Sequence, residues 1–189
     1  MNRMSLAGVV AVALLACASV AAAAQYPQDH NGWTIGFGVG GASAGVSVDG
    51  GGSSDREGGG MGNFRLGYPL NERVSLQLEA NAWTKSEDDV TLTFDATTLG
   101  VAFFPSEGWV LRGGLGFGQT KLSADLGNTT VTSTETGFGL HGAAGYEFRL
   151  ASTFALGPQV DFGYSTFDGG SSNWFGAGLN LNWYFLSKK

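Results

Sequence analysis

Two glycine-spaced motifs and one histidine are the first places to look for chemistry in this 189-residue sequence. Gly36-x-Gly38-x-x-Gly41 has the spacing of a dinucleotide-binding turn, in which a helix N-terminus holds a pyrophosphate. A Gly/Ser-rich run from Ser43 follows it instead, with no helical period. Gly41-Ala42-Ser43-Ala44-Gly45 has the G-x-S-x-G spacing of a nucleophile elbow. That turn needs a helix after it and a histidine later in the chain. No helix pattern follows, and the later histidine, His141, lies between Leu140 and Gly142 with no serine two residues away. Glu87-Asp88-Asp89 is an acidic run without the ligand spacing and glycine of a calcium loop, and it reads as a solvated tip. Two histidines in the whole chain do not support a His-based metal site. No catalytic, cofactor-binding or metal site is expected.

A second set of polar residues has a different meaning. Arg65, Glu79, Asp95, Arg112, His141, Glu147 and Asp161 are spread over a hundred positions. Most of them alternate with apolar neighbours, as on a strand with one wet and one dry face. Val74, Leu76, Leu78, Ala80 and Ala82 interleave with Ser75, Gln77, Glu79 and Asn81. Trp109, Leu111, Leu115 and Phe117 interleave with Arg112, Gly114, Gly116 and Gly118. The same alternation runs through Phe138–Arg149, Phe154–Ser165 and Trp174–Phe185, and upstream through Trp33–Ala42 and Gly62–Tyr68. In Val90–Phe103 the apolar parity switches near Asp95–Thr97, which predicts a bulge.

These segments make eight strands. Pro69–Arg73, Phe104–Gly108 and Leu150–Thr153 read as short turns at one end. Ser43–Met61, Lys85–Asp89, Lys121–Glu135 and Thr166–Asn173 read as mostly longer loops at the other, with Ser43–Met61 expected to be mobile. An even number of strands, each close to the length that crosses a bilayer, with short turns on one side, predicts an all-β, eight-stranded antiparallel transmembrane β-barrel. The polar parity then faces the lumen. Arg65, Arg112 and Arg149 share that space with Glu79, Glu147 and Asp161, with Asp95 joining them. Glu79 and Arg112 are the expected pair, because an unpaired charge in a narrow interior is costly. Gln77, His141, Gln159, Asn180 and Asn182 fill the remaining space, so the lumen is expected to be plugged.

Composition agrees with burial in lipid. Glycine supplies 32 residues and charged residues 14%, against about 7% and 25% in average proteins. A soluble barrel would show Lys and Glu on its polar face; here that face is Gly, Ser, Asn and Gln. Trp33, Tyr68, Trp109, Phe148, Phe154, Trp183, Tyr184 and Phe185 fall near the short-turn ends. Trp83, Tyr164 and Trp174 fall near the opposite ends, and both groups are expected to form interfacial girdles.

Met1–Ala24 has a basic start, an apolar middle and Ala22-Ala23-Ala24 before Gln25, which reads as a cleaved secretory signal peptide. Leu14-Leu15-Ala16-Cys17 offers a lipoprotein-type cleavage as the alternative. The mature domain is then residues 25–189. Loss of Arg3 leaves 9 basic and 16 acidic residues, a net charge of −7. Nucleic acid is not an expected partner.

Gly62–Tyr68, Leu99–Pro105, Trp109–Gly118 and Gly142–Phe148 resemble the small outer-membrane β-barrel family, which includes the transmembrane domain of outer-membrane protein A, the OmpX/Ail type and opacity-type proteins. The resemblance implies a bacterial outer-membrane location and a structural or adhesion-type role through extracellular loops. It also implies outer-membrane lipid, lipopolysaccharide and the barrel-assembly machinery as partners, with a host or surface ligand at the loops. Phe185 fits the terminal aromatic that assembly recognises, with Leu186-Ser187-Lys188-Lys189 following it. The expected state is a monomer. Two alternatives stand beside this reading: a narrow channel for small or hydrophobic solutes, and a lipid-modifying enzyme. The expected outer loops hold nine acids and three bases, which disfavours polyanionic ligands.

Overall fold

The computed structural model describes residues 30–125 and 129–186. The signal segment Met1–Ala24, with Cys17, lies outside the described residues, as do Leu126–Asn128 and the final three residues. Ten strands are formed: β1 (Gly32–Val48), β2 (Gly52–Ser53), β3 (Glu57–Asn71), β4 (Val74–Glu87), β5 (Val90–Phe103), β6 (Trp109–Asp125), β7 (Thr130–Tyr146), β8 (Phe148–Ala151), β9 (Phe154–Phe167) and β10 (Gly170–Leu186). Each barrel strand pairs with its neighbour antiparallel, and β10 closes onto β1. The short β2 folds back on the end of β1. β7 and β8 form one stave interrupted at Glu147, and both lie on β9. The barrel therefore has eight staves and no free edge within its body, so every backbone group in the wall can pair inside the protein.

Alternation decides which side chain meets which medium. Along β4 the residues Ser75, Gln77, Glu79 and Asn81 are buried, while Leu76, Leu78 and Ala80 are exposed. The outward band carries Val39, Leu99, Leu115, Phe117, Val160 and Leu179. At the inner rim the aromatics make a belt: Trp33 meets Tyr68 edge-on at 4.9 Å, Trp109 meets Tyr146 at 5.5 Å, and Phe154 meets Trp183 at 5.0 Å.

Four expectations change. The strands that reach the outer side run to 14–17 residues, beyond the roughly 9–11 that cross a bilayer. Ser43–Met61 is therefore mostly β1, β2 and β3 rather than one long loop. Lys85–Asp89 and Thr166–Asn173 reduce to two-residue turns at Asp88-Asp89 and Asp168-Gly169, and Lys121–Glu135 is largely the ends of β6 and β7. Above the bilayer a hairpin needs no apolar face, so its strands lack the contrast that marks the spanning part. Asp88 takes φ 50 and Gly169 φ 78, the left-handed region that Asp tolerates and Gly favours in such turns.

No bulge interrupts β5. Its register with β4 is continuous from Glu87↔Val90 to Val74↔Phe103. Leu92 and Phe94 thus keep the inward parity, and Asp95 turns outward. The outer aromatic girdle loses two members: Trp83 and Trp174 point inward, at 0% and 4% exposure. At the inner end Tyr184 also faces the lumen, at 2%.

Candidate functional site

The lumen is filled in three layers. The middle layer is polar and closes on itself. Glu79, inward on β4, reaches Arg112 of β6 (Oε1 to Nε, 3.5 Å) and His141 of β7 (Oε2 to Nδ1, 2.8 Å). The other ring nitrogen of His141 lies 3.2 Å from Oδ1 of Asp161 on β9. Gln159 donates from Nε2 to Asp161 Oδ2 at 2.6 Å, and its own amide oxygen accepts from Arg112. The five side chains form a ring of contacts across four strands. The carboxylates of Glu79 and Asp161 lie on opposite sides of the imidazole, so the three do not converge on a point where an ion could sit.

A second chain of contacts fills the rest of the layer. Arg65 donates to Asn63, Asn180 and Asn182, the last at 3.1 Å. Asn182 donates to Glu147 at 2.6 Å, and the Tyr184 hydroxyl donates to the other oxygen of that carboxylate. The Arg149 guanidinium lies 3.8 Å from the centre of the Tyr184 ring. Arg65 and Glu79 are register partners on β3 and β4, yet Glu79 turns to Arg112 and His141. Asn81 is fully buried just above this layer with neither amide atom partnered.

Apolar caps lie above and below. On the outer side Ala44, Met61, Trp83, Phe94 and Trp174 pack together. Trp83 stacks on Phe94 at 5.1 Å and donates from its indole to the Ala42 carbonyl. On the inner side Ala102, Phe104 and Val110 form a smaller cluster. His30 stacks on Phe104 at 3.7 Å and meets Tyr184 edge-on at 5.4 Å.

Six of the seven expected interior residues sit in this lumen: Arg65, Glu79, Arg112, His141, Glu147 and Asp161. The seventh, Asp95, does not. It faces outward and pairs with Lys121 at 3.3 Å. Alternation puts Asn63, Asn81 and Tyr184 on the polar parity without marking them as part of the lumen filling, and neither apolar cap is expected from the sequence. Parity held the signal for Trp83, which stands two residues after Asn81, and for Trp174, two before Gly176.

Outside the membrane band the wall continues upward. On the outward face Ser86 meets Thr91 at 2.9 Å and Ser123 meets Thr132 at 3.2 Å. Lys85 bridges Glu57 and Glu87, both at 2.7 Å. These two carboxylates hold the ammonium pKa up to about 12, and Lys85 in turn lowers that of Glu87. β6 and β7 stay paired as far as Asp125↔Thr130, but β7 pairs with β9 only from Gly139 to Gly145.

Similarity to known proteins bears on the same architecture. Ail, the attachment invasion locus protein of Yersinia pestis, aligns over 81% of this chain and 99% of its own at 19% identity, with a TM-score of 0.58. Ail in complex with the heparin analogue sucrose octasulfate aligns over 80% and 99%, again at 19% and 0.58. Neisserial surface protein A aligns over 79% and 96% at 18%, with a TM-score of 0.51. At such identities the likeness is one of fold. A search of curated proteins finds no match. The family described as the outer membrane protein beta-barrel domain matches residues 10–185. The alternating wall, the inner aromatic belt and a match over nearly the whole length agree: the chain belongs to that family of bacterial outer-membrane barrels.

Proposed function

We propose that this barrel is a surface-interaction protein that offers its β6–β7 ribbon to a partner polypeptide. One observation carries the reading. Among the described residues no strand pairs with the outer edge of Thr130–Thr136, and all seven of these residues are exposed. Phe138, of the same parity, turns its N–H and C=O toward Thr166 of β9. The backbone groups of Thr130, Thr132, Thr134 and Thr136 therefore point away from β6 in the same direction. A row of open N–H and C=O groups is a template for an added strand. The layered lumen supports a role outside the pore, since two apolar caps and a charged layer stand in the path of solutes. The acid-rich outer surface disfavours a heparin-like ligand of the kind bound by Ail.

The test replaces residues 122–133 with a two-residue turn, which rejoins β6 and β7 at the register pair Lys121↔Thr134. Cells displaying the shortened protein should lose adhesion to host-cell or matrix-coated surfaces while the barrel keeps its folded gel mobility. Thr132→Pro with Thr134→Pro, which removes two edge donors, should weaken adhesion in the same direction. Undiminished adhesion by both variants, or a large steady current through the parent protein in planar bilayers, would overturn the reading.

A further inference from the structure

On the lipid-facing wall lies an apolar groove of about 600 Å3. It runs obliquely across five adjacent strands, from β6 through β7, β9 and β10 to β1. One bank is Val39, Leu179 and Pro158, successive register partners, continued by Tyr146 and Trp109. The other is Gly41, Ala177, Val160 and Ala144, again in register. The second bank is low because three of its four residues carry a methyl group or less. Elsewhere the same face carries Leu99, Leu115 and Phe117.

The floor is Gly40, Gly178, Gln159 and Gly145, and its glycines are demanded by close approach. A Cβ on Gly40 would come within 2.3 Å of the Ala177 carbonyl oxygen, and one on Gly178 within 2.3 Å of that of Val39. These glycines carry the inward parity, so only backbone lines the bottom of the groove.

We infer that this groove binds an acyl chain of a glycerophospholipid from the inner leaflet, held as a resident lipid rather than exchanged with the bulk. Depth argues for that leaflet. The groove starts at the Trp109–Tyr146 pair of the inner aromatic belt, where the polar edges of the rings meet headgroups, and climbs to Val39, seven residues into β1. Length argues for a single chain: four interstrand steps span about 19 Å. Width excludes bulkier occupants. The banks are two residues apart along each strand, about 6.6 Å, whereas a packed helix needs about 10 Å.

The experiment is native mass spectrometry of the full-length protein taken from membranes into mild detergent and exchanged repeatedly. The parent should keep one glycerophospholipid per barrel. Ala144→Leu with Ala177→Leu fills the groove and should bring retention to background. Ala80→Leu, on the lipid side of β4, should leave it unchanged. Absence of retained phospholipid on the parent overturns the inference without any variant, as does equal retention by the filled variant. A dimer that the filled variant abolishes also overturns it, since the groove would then seat a second copy. Should the filled variant fail to fold, brominated phospholipid decides. Its quenching of the parent's fluorescence should survive detergent exchange and fall in Trp109→Phe; quenching that washes out overturns the assignment.

Discussion

The middle of the lumen and the outer β6–β7 ribbon share strands β6 and β7 and obey the same two-residue alternation, yet their polar groups live under opposite rules. In the lumen Glu79, Arg112, His141, Asp161 and Gln159 close a ring of ion-pair and hydrogen-bond contacts where water has little access. On the ribbon Thr130–Thr136 leaves a whole strand edge open, because water can serve it. The alternation chooses a side; the surrounding medium sets what a polar atom on that side must find. Disturbing a residue should therefore cost much in the first region and little in the second.

The largest effect is expected at the ring. Glu79→Ala strands Arg112 and His141 without their shared carboxylate, and removing one partner of a buried pair costs about 3–5 kcal/mol. Urea unfolding in lipid should show it, and the double change with Arg112→Ala should cost less than the two single changes combined. Additive losses would mean that the two side chains do not act as a unit.

The lipid face comes next. Leu179→Arg places a cation in hydrocarbon and should cost roughly 2–4 kcal/mol near the midplane, read by the same unfolding assay. A Leu179→Arg barrel as stable as the parent would invert the assignment of faces. Glycine positions are poor controls for this experiment. A Cβ on the inward Gly116 would fall 2.0 Å from the Thr97 carbonyl oxygen, so an inward residue outside the ring and its contacts, such as Thr98→Val, serves better.

Asn81 sharpens the contrast from the other direction. Its buried amide has no protein partner, so Asn81→Leu removes an unsatisfied group and should be neutral or stabilising by up to about 1 kcal/mol. A loss above that size would place Asn81 within the hydrogen-bonded layer, served by a bound water.

The smallest effect belongs to the exposed trio of Lys85, Glu57 and Glu87. Lys85 lowers the Glu87 pKa, so the pairing contributes above the ordinary carboxylate range and disappears as pH falls through the lowered value. Side-chain NMR titration should show Glu87 protonating at lower pH than in Lys85→Met, with the melting temperature scarcely altered.

The spanning parts of the strands were legible in the sequence because lipid enforces contrast: Leu76, Leu78 and Ala80 against Gln77, Glu79 and Asn81 leaves one reading. The outer halves were not. Thr130, Thr132, Thr134 and Thr136 alternate with Val131, Ser133 and Glu135, a pattern with little contrast, so strand and loop looked alike. Aromatics misled in another way. Trp83 and Trp174 suit an interface as well as a cap, and their type says nothing about which. Asp95 is the misleading case: Leu92 and Phe94 suit lipid by type, and a lipid-facing Leu92 and Phe94 demand a parity break that turns Asp95 inward. Apolar residues inside the lumen remove the need for the break. The ring itself required the barrel's shear, which brings residues from β4, β6, β7 and β9 to one level and leaves no mark in local spacing.

The β1–β10 seam has a kinetic consequence. It joins the first and last strands of the barrel in continuous register from Trp33↔Phe185 to Val48↔Gly170, while every other junction links strands nearby in the chain. Loop-closure entropy makes such distant pairing the slow event. Hairpins such as β4–β5 and β9–β10 can form early, but none of them can complete the Arg65–Asn182 contact across the seam until β10 meets β1. Closure of the wall and sealing of the lumen are therefore one step. A permuted chain that joins these two strands by a turn and opens at Asp168-Gly169 would make that step local and move the slow one to β9–β10.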